Sequence, residues 1–407
     1  MKKMVWIMVI ALALATTACG GDDDPGHTHT WGAWQSDATQ HWKECTANDG
    51  AKSGKANHDY DADYDCTICG YEHTHSYSST WSYYETQHWK ECSCGNEDGR
   101  ANHTGNPCTV CGGWIWTAVS NSTGPSSGIN AIAYGNNKFV AGAEYGKMET
   151  SPDGASWTAI VNSTFGTSDS IRAIAYGNSK FVAGGTGGKM ATSTDGTTWT
   201  AVANSTFGTS AIFGIAYGNN KFVAGGGDGK MATSPDGTSW TAVANSTFTS
   251  DSIYAIAYGN NKFVAVGKSG KMATSTDGTT WTAVADSTFG TSEISAIAYG
   301  NNKFVAGSWD GKMATSSADG VTWTAVANTT FDTNSIAAIA YGNGRFVAGG
   351  VGSIGGKMAY SADGASWTSV ADKDYTGSMN SSIIWAIAYG GGKFVTGGAY
   401  ADWQPAP

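Results

Sequence analysis

Charge is scarce in this sequence. Asp, Glu, Lys and Arg make up 14% of the 407 residues, and acids outnumber bases 33 to 23, a formal net charge of −10. A phosphate backbone demands clustered Lys and Arg, so nucleic acid is not an expected partner. Solubility must come largely from Ser, Thr, Asn and exposed backbone. Proline is also sparse at 7 residues, whereas Gly reaches 56 and Trp 17. That balance suits many short strands joined by tight turns, and the length allows one large domain plus a smaller one. Histidine and cysteine are confined: no His follows His103 and no Cys follows Cys111. This shift in composition sets a domain boundary near residue 112.

At the N-terminus, Lys2 and Lys3 precede an apolar run from Met4 to Ala15. The run is too short to span a bilayer comfortably and has the form of a signal peptide. It ends in Leu14-Ala15-Thr16-Thr17-Ala18-Cys19. Small residues directly before a Cys resemble a bacterial lipobox, which implies removal of residues 1–18 and lipidation of Cys19. Acyl chains would make the membrane a partner through a stable anchor. An ordinary signal peptide with a chance Cys is the alternative. Gly20-Gly21-Asp22-Asp23-Asp24, inside a tether of residues 19–26, resembles the acidic tether of Bacteroidetes-type surface lipoproteins. The expectation is a lipid-anchored cell-envelope protein at the outer membrane, exposed at the surface.

Residues 27–72 and 73–112 are two copies of one Cys/His motif. The first reads His27-Thr28-His29, Gln40 to Cys45, Ala56-Asn57-His58 and Cys66-Thr67-Ile68-Cys69-Gly70; the second reads His73-Thr74-His75, Gln87 to Cys92, Ala101-Asn102-His103 and Cys108-Thr109-Val110-Cys111-Gly112. A C-x₂-C turn followed by Gly aims two thiolates at one ion, and tetrahedral zinc needs two more ligands. Two structural zinc ions are expected, one on Cys45, His58, Cys66 and Cys69. The other uses Cys92 or Cys94 with His103, Cys108 and Cys111. His41 and His88 are rival ligands. The copies resemble short zinc-ribbon-like repeats of bacterial surface proteins, although the first has no counterpart of Cys94. Disulfides are the competing reading, because exported proteins meet oxidising conditions. Seven Cys remain after Cys19, an odd number that pairs poorly. A catalytic metal needs an open position and a nearby acid or base, and nothing singles one out.

From Trp114 the chain repeats itself. I-A-Y-G ends at Gly135, Gly177, Gly218, Gly259, Gly300, Gly342 and Gly390, at spacings of 42, 41, 41, 41, 42 and 48. One unit splits into four short apolar runs: Ile171 to Tyr176, Lys180 to Ala183, Lys189 to Thr192, and Trp199 to Val202. Four antiparallel strands in about 42 residues is the size of a propeller blade. A second signature, Ser151-Pro152-Asp153-Gly154-Ala155-Ser156-Trp157, recurs at Ser193 to Trp199, Ser234 to Trp240, Ser275 to Trp281, Ser361 to Trp367 and, with one insertion, Ser316 to Trp323. This string resembles the Asp-box of sialidase-type (BNR) propellers. Its Asp153, Asp195, Asp236, Asp277, Asp319 and Asp363 are read as structural acceptors of turn N–H groups. Seven I-A-Y-G strands but six such turns leave one outer strand missing. Trp116-Thr117-Ala118-Val119 matches the W-T-A-V of other units. The predicted fold is therefore all-β, a seven-bladed β-propeller over residues 114–407. The N-terminal strand is expected to complete the blade built from Ile384 to about Trp403.

Comparing the copies locates a candidate site. The a–b and c–d turns of a blade lie on one face, and these hardly vary. On the other face, the residue just before A-I-A-Y-G (or G-I-A-Y-G) is Asn130, Arg172, Phe213, Tyr254, Ser295, Ala337 or Trp385. The b–c loops differ as well. Candidate ligand-binding residues are Glu144, Tyr145, Arg172, Phe213, Asp228, Tyr254, Trp309, Asp310, Trp385 and Tyr400, expected around the mouth of the central channel. Aromatics mixed with Arg and acids are enriched in binding hot spots. The competing explanation is drift in unconstrained loops.

No catalytic residue is expected. Sialidase likeness would require an arginine triad, yet the propeller holds only Arg172 and Arg345, and Arg345 fills the turn-face slot of Lys138, Lys180, Lys221, Lys262, Lys303 and Lys393. Glu144, Asp228 and Asp310 could pair as glycosidase carboxylates, but no local motif marks them. The expected function is non-enzymatic capture of a glycan or protein ligand. A periplasmic scaffold or assembly protein is the alternative.

Overall fold

The computed structural model describes residues 128–352, 355–370 and 382–400, with strands at 31–36, 40–45, 56–57, 82–84, 87–91, 97–102, 116–117 and 375–376. Side chains are described within 128–352, 356–370 and 383–398. Two compact units emerge, Met1–Ser82 with His88–Ala101, and Tyr83–Gln87 with Asn102–Pro407. Each Cys/His copy carries a three-stranded sheet: Trp31–Ser36, Gln40–Cys45 and Ala56–Asn57 in the first, Ser82–Tyr84, Gln87–Glu91 and Glu97–Asn102 in the second. Cys45 ends its strand. Cys19, His58, Cys66, Cys69, Cys92, Cys94, His103, Cys108 and Cys111 lie outside the described residues.

The repeats fold as the 42-residue period demands. In blade 2, strands a (Ile171–Gly177), b (Lys180–Gly185), c (Met190–Ser193) and d (Thr200–Ala201) form one antiparallel sheet in sequence order. Blades 1, 3, 4, 5 and 6 repeat it, beginning at Ile129–Gly135, Ile212–Gly218, Ile253–Gly259, Ile294–Gly300 and Ile336–Gly342. A seventh sheet has two strands, Ser382–Gly390 and Lys393–Tyr400. Asn136 and Asn137 turn the first hairpin with φ of 44° and 56°. A two-residue turn of this hand needs positive φ twice, and Asn tolerates it.

The core lies between blades. Phe181, Ala183 and Trp199 of blade 2 pack with Val140 and Met148 of blade 1. Equivalent clusters fill each successive interface. The ring closes in the same way, because Ile132, Phe139 and Trp157 of blade 1 pack with Ala386, Ala388 and Val395 of the seventh sheet. Tyr134 covers Gly390 as Tyr176 covers Gly135: a Cβ there would meet the tyrosine ring at 1.9 Å and 2.0 Å. Gly ends each I-A-Y-G strand because the next blade's tyrosine occupies that space.

One expectation is corrected. Trp116–Thr117 does not extend the sheet of Lys393–Tyr400; it pairs in parallel with Tyr375–Thr376. A fourth strand bonds only to a third, and no third strand accompanies Lys393–Tyr400 among the described residues. Among the described residues, side chains of the seventh sheet pack against blade 1 where the ring closes.

Candidate functional site: the channel mouth

The turn face is fixed by bonds between neighbours. In blade 1, the Ser151 hydroxyl accepts from Gly154 N–H at 2.8 Å, and Asp153 accepts from the N–H groups of Ala155 at 2.8 Å and Ser156 at 2.7 Å. Gly154 takes φ of 75°, and the Trp157 indole donates to its carbonyl at 3.1 Å. Those two N–H bonds hold the Asp153 carboxyl down at about 2, and Asp363 likewise. Each turn also docks on the preceding blade. Lys180 donates to the Asp236 carbonyl at 2.9 Å and Lys262 to that of Asp319 at 2.8 Å. Asn219 and Asn260 reach the Thr276 and Ala318 carbonyls, both at 3.1 Å. The near-identity of Asn-Asn-Lys is thus a property of the interface between blades.

The opposite face is built on a bulge. Pairing of strand a with strand b slips by one residue at the start of all seven sheets, as between Ile171↔Gly185 and Ala173↔Gly184. The extra residue is Asn130, Arg172, Phe213, Tyr254, Ser295, Ala337 or Trp385. A bulge re-aims the side chain it releases. Here all seven line one cavity of about 310 Å³ in the channel. Below them come small residues such as Ala131 and Gly214, then a floor of isoleucines from Ile132 round to Ile387. Among the described residues, the one loop residue in its walls is Trp309, which meets Trp385 edge-on at 5.8 Å. Phe213 and Tyr254 form a second aromatic pair, also at 5.8 Å.

Most polar groups of the mouth are already engaged. Asn130 donates from Nδ2 to the Ile171 carbonyl at 3.3 Å, bridging blades 1 and 2. The Ser295 hydroxyl donates to the Gly307 carbonyl at 3.1 Å and also bonds the Ile336 carbonyl. Tyr254 donates to Glu293 Oε2 at 3.0 Å; burial first, then this carboxylate, pushes its phenol up to about 12. Arg172 is exposed and forms no ion pair with a described residue.

The structure therefore brings Arg172, Phe213, Tyr254, Trp309 and Trp385 together. Glu144, Tyr145, Asp228 and Asp310 stand in b–c loops outside the cavity wall, and Tyr400 ends the strand Lys393–Tyr400. Tyr145 is 57% exposed at a left-handed turn position, and Glu144 precedes it. Asp228 accepts from the Ser210 hydroxyl at 2.7 Å. Asp310 accepts from Ser292 and Ser308, both at 2.6 Å, and pairs with Lys312 at 3.2 Å. Burial opposes its charge, but those hydroxyls and Lys312 prevail and keep the carboxyl below its ordinary range. Tyr400 pairs by backbone with Ser382. Glu293 was not singled out from sequence. Its signal was there, since the same slot holds Ser170, Ser252 and Ser335 in other blades.

The d–a loops are also tied down. Phe165, Phe207, Phe248 and Phe331 are fully buried, and Ser205 and Ser246 donate to the Gly188 and Gly229 carbonyls at 2.5 Å and 2.6 Å. Their constancy therefore has a packing cause.

Among the described residues, six four-stranded sheets and a two-stranded seventh around one channel define a β-propeller. Residues 113–234 and 205–306 match the model of the DUF6242 beta propeller domain. No curated protein matches the chain. Among solved structures it is similar to YCF48 bound to D1 peptide, at 16% identity over 72% of this chain and 100% of that one, with a TM-score of 0.55. YCF48 from Cyanidioschyzon merolae follows at 18% identity, covering 70% of this chain and 96% of that one, with a TM-score of 0.53. The WD40 beta propeller domain of Doa1 is 12% identical over 69% and 93%, with a TM-score of 0.51. At such identities the likeness shows the fold alone.

Proposed function

We propose that this protein is a non-catalytic cell-envelope lipoprotein that captures a glycan or protein ligand at the mouth of its propeller channel. The lipobox-like run before Cys19 and the Asp-rich tether support lipid anchoring with display at the surface. In this reading the two Cys/His copies hold structural zinc, and the Asp-box-like turns are purely structural. The observation that carries capture is the convergence of seven bulge residues, varied from blade to blade, on one cavity of about 310 Å³, while the turn face of the same repeat hardly changes. A solved complex of the similar YCF48 propeller with a D1 peptide lends support to a polypeptide ligand. Asp228 and Asp310 are committed to their own loops, which weighs against their use as a glycosidase pair.

The test removes the mouth and leaves the ring. Replacing Arg172, Tyr254, Trp309 and Trp385 together with Ala should abolish binding in a screen against glycan and host-protein arrays, with the melting temperature nearly unchanged. Retained binding would place the site elsewhere. Proteolysis of intact cells then separates a surface receptor, which is shaved off, from a periplasmic scaffold, which is protected.

A further inference from the structure

Resting on that capture reading, we propose that the mouth receives the C-terminal end of a polypeptide. Its α-carboxylate pairs with Arg172, and its last side chain, apolar, enters toward the isoleucine floor.

The hydrogen-bond inventory of the mouth carries the choice. Ser295 gives its proton to backbone carbonyls, Tyr254 gives its proton to Glu293, and Asn130 spends an amide hydrogen on Ile171. Among the described residues lining the mouth, this leaves the Arg172 guanidinium, the Asn130 carbonyl oxygen and the indole N–H groups of Trp385 and Trp309 uncommitted, and Arg172 is the one charged side chain of that lining. A sugar ring would bring several hydroxyls, and each one buried without a partner costs about 1–3 kcal/mol. A chain end brings one carboxylate and the amide N–H beside it. A guanidinium fork suits the carboxylate, and the neighbouring Asn130 oxygen can accept the N–H.

Shape and charge agree with this. About 310 Å³ lies at the small end of ligand pockets, enough for one or two residues of an entering terminus. The deeper wall is apolar, with Ile132, Ile174, Ile256 and Ile297 ringing it. Aromatic pairs stand on separate arcs, Phe213 with Tyr254 and Trp309 with Trp385. A formal charge of −10 repels polyanions at a distance, so a ligand carrying a single carboxylate at its tip is favoured over an acidic polymer.

The experiment uses the full chain and N-terminally fluorescein-labelled pentapeptides ending in Leu, Phe or Lys, each as free acid and as C-terminal amide, read by anisotropy. The Leu and Phe acids should bind at least tenfold tighter than their amides and than the Lys acid. Arg172→Gln should erase the acid–amide difference, and Arg172→Lys should keep part of it, with melting temperatures close to the parent. Equal affinity for acid and amide overturns the proposal. A neutral-oligosaccharide array run on the parent and on Trp385→Ala separates the two readings. Glycan binding lost in that variant keeps channel-mouth capture while overturning the peptide end. Binding of neither class, or binding untouched by Arg172→Gln and Trp385→Ala, overturns both.

Discussion

The two faces of the ring are made from the same repeat, yet they obey opposite rules. On the turn face, Ser and Asp side chains bond within their own turn, and Lys and Asn side chains bond to the next blade: Lys180 to Asp236, Asn219 to Thr276. A change there disturbs two blades at once, so copies remain alike. On the mouth face, the bulge turns one side chain per blade into a shared void, where the demand on it is weak. Among the described residues, Asn130 and Ser295 bond to the following strand at the equivalent carbonyls of Ile171 and Ile336, with different chemistry, and Tyr254 bonds Glu293 just ahead of the next one. Variation is tolerated where the backbone has moved a residue out of the interface. That freedom is what a recognition site requires.

The sharpest way to break this contrast is to open an interface between blades. Phe222 is fully buried, and it packs with Val182 and Met190 of the preceding blade. Phe222→Ala removes a large side chain whose neighbours belong to two sheets and should cost about 3–5 kcal/mol. Denaturant unfolding of the variant checks the figure. A loss under about 1 kcal/mol would mean that the blades are held chiefly by something other than the apolar layers between them.

Acid should separate the faces next. The turn carboxyls of Asp153 and Asp363 sit at about 2, and those of Asp195, Asp236, Asp277 and Asp319 are lowered too. An unfolded Asp titrates near about 3.9. A carboxyl lowered on folding contributes stability that is complete above its unfolded value and is lost as pH falls through its folded value. The melting temperature should stay level from neutrality to about pH 5 and drop steadily between about 4 and 2. Calorimetry across that range tests it, and a variant stripped of mouth side chains should trace the same curve. A mouth variant with a shifted acid limb would show that the two faces are electrostatically coupled.

The period, the four strands per unit and the Ser-Asp-Gly-Trp turn were legible in sequence because each is a local pattern copied many times. So was the position of the variable ring. What concealed itself was any feature made by two distant stretches. Asn-Asn-Lys reads as a hairpin turn in isolation, and its reach to the next blade appears only when residues about 57 apart are brought together. The bulge is equally silent, since Ile-Arg-Ala-Ile scans as plain strand. Without it Arg172 would alternate into the sheet register. The b–c acids misled for the same reason. Asp228 and Asp310 resemble free carboxylates until Ser210 and Ser292, each 18 residues away, are seen to hold them. Completion of the seventh sheet rests on the W-T-A-V match, which identifies a fourth strand but says nothing of a third, and none accompanies Lys393–Tyr400 among the described residues.

The smallest expected effect is the most discriminating. Phe213 and Asn130 occupy the same bulge position in different blades, so Phe213→Asn transplants one solution onto another. The variant loses an aromatic contact with Tyr254 worth about 0.5–1.5 kcal/mol. It gains an amide able to reach the Ile253 carbonyl, as Asn130 reaches that of Ile171, a bond worth a similar amount. The terms nearly cancel, and the shift in melting temperature should stay within about 2–4 °C. The same chemical change at Phe222, fully enclosed between blades, would strand an amide in an apolar layer and should prevent folding. If both positions responded alike, the bulge would not be uncoupling the mouth from the interface. The variety of residues in the ring would then need a cause other than freedom from packing.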